Sequence, residues 1–184
     1  EGKKNEEVVL MTASLARLLR QSISIENELV TIGQEVEYVR SYLTIQKMRY
    51  KDKLEFEINV DPRITHAKII RLVLQPIVEN AIYHGLKYKE SKGMLKVHGY
   101  ELGERIIIDI TDDGVGMDEE TLKHIYDKHK VNYHSNGVGV YNVQQRLVLY
   151  YGKEYGIIYH SEKGKGTTAT VVIPKKQEDV HEKI

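Results

Sequence analysis

The sequence predicts an α+β fold of two layers: a mixed five-stranded sheet with helices on one face, and helices ahead of it. Three observations carry that expectation. Five stretches read as strands: KLEFEINV, where Leu54, Phe56, Ile58 and Val60 alternate with polar residues; MLKVHGY (94–100); RIIIDIT (105–111); EYGIIYHS; and GTTATVVIP. Two connections, Glu101-Leu102-Gly103-Glu104 and EKGKG, are short enough to imply antiparallel hairpins. Apolar residues recur at helical spacing in 31–50, 69–85 and 140–151.

Residues 6–20 open the chain with a helical pattern, Val8, Met11, Leu15, Leu18 and Leu19, and Arg17 and Arg20 near its end. It reads either as half of a helical hairpin or dimer contact from a longer protein, or as an ordinary packing helix. SISIENELV breaks the period. Thr31 followed by Gln34 is a capping box, and Ile32, Val36, Val39 and Leu43 form the inner stripe of a helix reaching about Tyr50. Asp61-Pro62 ends the first strand. The helix over 69–85 places Leu72, Val73, Ile77 and Ala81 on its apolar side; Pro76 kinks it or marks a late start. The strand at 105–111 is rich in Ile and should be central. Residues 118–130 read as a polar helix capped by Asp118, VNYHSNGVG as a loop, and 140–151 as a helix closed by Gly152. The charged tail after Pro174 is expected to fray. The expected organisation is a helical segment over 1–51, a compact unit over 52–176 and a tail over 177–184.

Charge is balanced, 27 basic against 27 acidic residues, which leaves no electrostatic footprint for nucleic acid. There is no cysteine, so disulfides and cysteine metal sites are excluded. No apolar run approaches the ~18 residues of a membrane span and no signal peptide opens the chain, so this piece is expected to be soluble.

The polar text of the 69–85 helix is Glu79 beside Asn80, with His84 four residues on and therefore on the Asn80 face. An unpaired buried polar group costs about 1–3 kcal/mol, so such a pair marks either a site or a partly exposed edge. Asp112-Asp113-Gly114-Val115-Gly116 follows directly on a strand. Glycines there permit φ > 0 and close approach of a ligand, and a carboxylate at a strand end can accept a hydrogen bond from an exocyclic amine; the same text also makes ordinary turns. Asn136-Gly137-Val138-Gly139 stands before a helix, where free N–H groups attract anions, or is a helix-entry loop. It matches neither phosphate-loop nor dinucleotide fingerprints. Gly164-Lys165-Gly166-Thr167, by itself, is a hairpin turn.

In this order the motifs resemble the Bergerat ATP-binding fold shared by gyrase, Hsp90, MutL and histidine kinases, over residues 53–174. LQPIVENAIYHG, DDGVGM, the short lid and NGVGVYNVQQRLVLYYG resemble sensor histidine kinases of the LytS/YesM type. QEVEYVRSYLTIQKMRY is similar to that family's linker helix.

The resemblance implies the ATP-binding catalytic domain of a two-component sensor kinase, using ATP and Mg²⁺. It further implies a response regulator as partner, a homodimer in the full-length protein, and a cytoplasmic location with membrane attachment only through other segments. Asn80 matches the family's Mg²⁺ ligand and Glu79 its catalytic carboxylate. Asp112 matches the adenine-reading aspartate, with Gly114, Gly116 and Met117 shaping the pocket and Thr167 beside it. His84 lines the site, Gly137, Val138 and Gly139 match its phosphate side, and 117–136 is the lid. Tyr83 stands where many relatives carry Lys or Arg. The family's Pro-His-Phe acceptor motif is missing: the sole Phe, Phe56, follows Glu55. The acceptor histidine is therefore expected outside this chain, which alone should not phosphorylate itself. His181 sits in the tail, and His124, His129 and His134, five apart, do not align on a helix and read as lid-surface residues. Two other functions fit the same text: a weakly nucleotide-binding dimerisation and relay module, and a GHKL-type ATPase, against which the short lid argues.

Overall fold

The computed structural model describes residues 9, 11–16, 28–125 and 137–176. Its elements are β1 (Leu29–Thr31), α1 (Ile32–Tyr50), β2 (Leu54–Val60), β3 (Lys68–Ile70), α2 (Leu74–Asn80), β4 (Gly93–Leu102), β5 (Arg105–Asp112), α3 (Glu119–His124), α4 (Gly137–Tyr151), β6 (Gly156–Glu162) and β7 (Gly166–Pro174). Five strands form one sheet in the order β2–β4–β5–β7–β6. Only β2 and β4 run parallel; the other neighbours are antiparallel, so the sheet is mixed, as the sequence predicts. The isoleucine-rich β5 is central.

Alternation settles which face is covered. Ile106, Ile108 and Ile110 of β5 and Val171 and Ile173 of β7 are buried. They join one core with Ile77 and Ile82 of the helix layer and with Ile32, Val36, Val39 and Leu43 of α1. The opposite face of the sheet carries Lys96, His98, Asp109, Thr111, Thr168 and Thr170. The capping box of α1 is present in both halves: Gln34 N donates to Thr31 Oγ1 at 3.1 Å, and Thr31 N to Gln34 Oε1 at 2.8 Å. Within the first predicted helix, residues 11–16 are helical, and Met11 and Leu15 are exposed.

Three expectations need correction. The 69–85 stretch is not one helix. Ile69 and Ile70 belong to β3, which pairs with β1 in a separate two-stranded sheet, so their backbone groups are satisfied there. Leu72 has φ of 60°, a left-handed turn that separates strand from helix, and α2 starts only at Leu74. Pro76 thus lies in the first turn, where its missing N–H breaks no helical bond. Next, the C-terminal half of the stretch is a π-helix over Ala81–Leu86, with Lys87 N donating to Ile82 O at 2.8 Å. Finally, α4 begins at Gly137, so the Gly137-Val138-Gly139 run is its first turn rather than a preceding loop. The predicted tail and the lid text at 126–136 lie outside the described residues.

Candidate functional site

The site is built where the end of β5 meets α2. Asp112, the last residue of β5, is 4% exposed. Its Oδ1 accepts from Gly114 N at 2.9 Å, the tight turn that Asp-x-Gly allows. Burial pushes its carboxyl up to about 6; neighbouring Asp113 adds to the rise, while hydrogen bonds from the Gly114 and Thr167 backbone oppose it. The chain passes so close to the π-helix that a Cβ on Gly114 would lie 2.3 Å from the Gly85 carbonyl carbon. Val115 N donates to Gly85 O at 3.1 Å, tying the glycine turn to the π-helix. Gly116 has φ of 64°, and a Cβ there would meet Glu162 O at 2.0 Å. Only glycine fits at either position.

Asp112 opens into a cleft also lined by Ile77, Asn80, His84, Gly116, Met117 and Thr167. The structure thus brings together six of the sequence-predicted residues. Apolar walls from Ile77, Ala81, Ile110 and Ala169 surround the carboxylate, the composition of a ligand pocket with few polar anchors. Asn80 Oδ1 is buried and has no hydrogen-bond partner among the described residues. His84 lines the same cleft, and the partial burial of its ring, then Lys87, lowers its pKa. Glu79 lies outside the cleft lining, half-buried, accepting from Gln75 Nε2 at 2.7 Å.

Two predicted roles are finer in the structure. The Thr167 hydroxyl bonds Ser161 Oγ at 2.8 Å, so it is the Thr167 backbone that supports Asp112. Gly139 packs against Pro76: a Cβ on this glycine would lie 3.4 Å from the proline Cβ, a close approach that sets α4 beside the start of α2. Of the predicted lid, α3 is present and Asp118 caps it through Thr121 N at 2.9 Å. His129 and His134 lie outside the described residues, and among the described residues no cluster of three metal-ligating side chains occurs.

Ser161, which sequence reasoning missed, organises the far wall. Its Oγ accepts from Met117 N at 2.8 Å and donates to Gly166 O at 3.0 Å. Its only sequence signal was its place on the core-facing side of an edge strand. Tyr159 and Gly85 were also missed as lining residues.

An enclosed carboxylate, an unpaired amide oxygen and a glycine-walled cleft stand together at the end of the mixed sheet of an α+β module. Residues 65–177 match the family described as histidine kinase-, DNA gyrase B-, and HSP90-like ATPase, and residues 1–54 match the histidine kinase family. The chain belongs to the first of these families, whose match covers more than half its length. It is similar to sensor histidine kinase YesM of Bacillus subtilis, 32% identical over 98% of this chain and 30% of that protein. It is also similar to sensor protein LytS of Oceanobacillus iheyensis, 31% identical over 87% of this chain and 28% of that protein. The chain thus spans less than a third of these curated relatives. The fold matches the catalytic domain of histidine kinase ThkA with a TM-score of 0.62 at 15% identity, covering 82% of this chain and 100% of that one. Among the described residues no helix is long and apolar enough to cross a membrane.

Proposed function

We propose that this chain is the ATP-binding catalytic part of a two-component sensor histidine kinase, transferring the γ-phosphoryl group of ATP to a histidine outside these 184 residues. The observation that supports it most is the pairing, in one cleft, of the buried Asp112 with the unpartnered Asn80 Oδ1. Asp112, in its ionised form, accepts a hydrogen bond from the adenine amine; a base without the amine leaves the carboxylate unpaired and is rejected. Asn80 Oδ1 is a hard oxygen without a hydrogen-bond partner among the described residues, which fits Mg²⁺, and that ion supplies neutralisation of triphosphate charge when bound. Glu79 accepts the N–H of the attacking imidazole and keeps the opposite nitrogen nucleophilic. That nitrogen forms the N–P bond as the bond from γ-phosphorus to the bridging oxygen breaks, and ADP leaves.

The acceptor is assigned to another segment because the sequence lacks the Pro-His-Phe motif. Of the described histidines, His98 and His160 are strand residues, and His84 lines the nucleotide cleft. A response regulator would then take the phosphoryl group, the helical segment ahead of α1 would carry dimerisation, and the module would work in the cytoplasm. The relay-module reading keeps one support: Tyr83, near Tyr42 of α1, brings no cation to the phosphates. Phosphotransfer by a longer chain that carries the acceptor helix separates the two, and calorimetric titration with Mg-ATP tests the nucleotide site. Binding that is lost without Mg²⁺ is expected; no heat at millimolar nucleotide would overturn the kinase reading. Acid-labile label on the 184-residue chain incubated alone with Mg-ATP would show that the acceptor is misplaced.

A further inference from the structure

Glu79 is half-buried and its carboxylate must point in one direction to be useful. One turn earlier, Gln75 Nε2 donates to Glu79 Oε1 at 2.7 Å. The other neighbour of this pair is α1, the helix that leads into the domain. Its Glu35 reaches the start of α2, accepting from Leu72, Val73 and Leu74 N at 2.8, 3.0 and 3.1 Å. Tyr38 and Tyr42 follow three and seven residues later, on the same side of α1 and therefore running along α2 toward Glu79. Both hydroxyls are pushed up, first by burial and then by the Glu79 carboxylate; for Tyr38 a hydrogen bond with Gln75 opposes the rise.

We propose that Gln75 is a positioning residue for phosphotransfer: hydrogen-bonded to Glu79 within α2 and set beside Tyr38 of α1, its amide fixes the direction of the catalytic carboxylate. The proposal rests on Glu79 being the residue that orients the attacking histidine. It gives α1 a part in the chemistry, because Tyr38 of α1 adjoins the Gln75–Glu79 pair. A displacement of α1 along α2 would move Tyr38 away from that pair without touching the nucleotide cleft. The ordinary alternative is an i, i+4 pair that supports the helix and adds nothing to catalysis.

The test uses the full-length protein that contains this chain and its acceptor histidine. Gln75→Met keeps side-chain length and helix preference but deletes the donor. It is expected to slow phosphotransfer about tenfold, the low end of what a supporting partner contributes, while the Mg-ATP dissociation constant stays unchanged. Tyr38→Phe, which retains the ring packing, should slow transfer less and in the same way. In a Glu79→Gln background, Gln75→Met should have no further effect, since the two residues act as one unit. Native transfer rates in Gln75→Met, or losses that simply multiply in the double variant, overturn the proposal. Should Gln75→Met fail to fold, native transfer in Tyr38→Phe overturns it. A Glu79→Gln variant that transfers at the native rate would instead sink the reading of Glu79 itself.

Discussion

Two buried carboxylates, each 4% exposed, serve opposite purposes: Glu35 at the start of α2 and Asp112 at the end of β5. Burial pushes both upward from the ordinary carboxylate range. Glu35 is fully engaged, with three backbone N–H groups on its two oxygens, donors that the left-handed turn at Leu72 leaves without helical partners. Asp112 has backbone support from Gly114 and Thr167 and still fronts a cleft. The same chemical group is a brace in one place and, in the function proposed above, the acceptor for adenine in the other. The difference lies in how many donors the protein brings to it.

Removing the brace should have the largest effect. Glu35→Ala leaves three N–H groups unpaired, two of them buried and one part-buried, and is expected to destabilise the domain by about 3 kcal/mol. That corresponds to roughly 6–12 °C in melting temperature for a chain of this size, measurable by calorimetry. Adenosine affinity below the melting range should stay native; its loss together with an unchanged melting temperature would erase the contrast.

Next in size, Asp112→Asn should weaken adenosine binding by about 1–3 kcal/mol, because an amide presents the wrong group to the exocyclic amine. Stability should move the other way. A carboxyl raised to about 6 contributes stability that is complete below its unfolded value near 3.8 and lost as pH rises through about 6. At pH 7 the ionised Asp112 therefore carries a desolvation cost that Asn relieves, so the melting temperature should not fall. A marked drop would make Asp112 a second brace.

A smaller effect is expected from pH. Adenosine needs the ionised carboxylate, so its affinity should hold above about 6 and decline below it, and Asp112→Asn should flatten the curve. Uncharged adenosine avoids titration of the triphosphate. A curve that stays flat from about pH 5 to 8 in the native chain would argue against Asp112 as the acceptor. Least of all, Asp113→Asn removes the adjacent charge that helps raise Asp112, and should move the midpoint of that curve slightly downward. An upward move would mean that losing the Lys89–Asp113 ion pair, 2.7 Å, dominates.

These two carboxylates also mark what sequence could and could not reveal. Asp112 is legible because its role requires glycines at fixed offsets: Gly114 for the close pass at Gly85, Gly116 for its positive φ. The sheet is legible because Leu54 to Val60 and Ile106 to Ile110 alternate against one core. Glu35 leaves no such trace. It sits in an amphipathic helix like any solvated glutamate, and its partners are backbone groups 37 to 39 residues away. β1 and β3 are hidden for a related reason: three residues are too short for a period to show. Ile69 and Ile70 fit helical spacing by chance of composition, and only pairing with Val30 and Leu29 decides their state.

The widened turn after Asn80 has a consequence for how positions are counted. A regular helix bonds each carbonyl to the fourth residue ahead; here Ile82 O meets Lys87, the fifth. The segment therefore holds one residue more than its length in turns requires, as if one had been inserted between Ala81 and Leu86. A residue-by-residue comparison with a regular helix keeps step up to Asn80 and then slips by one. Glu79 and Asn80 are safe from that slip, while Tyr83 and His84 fall where it shifts the count by one.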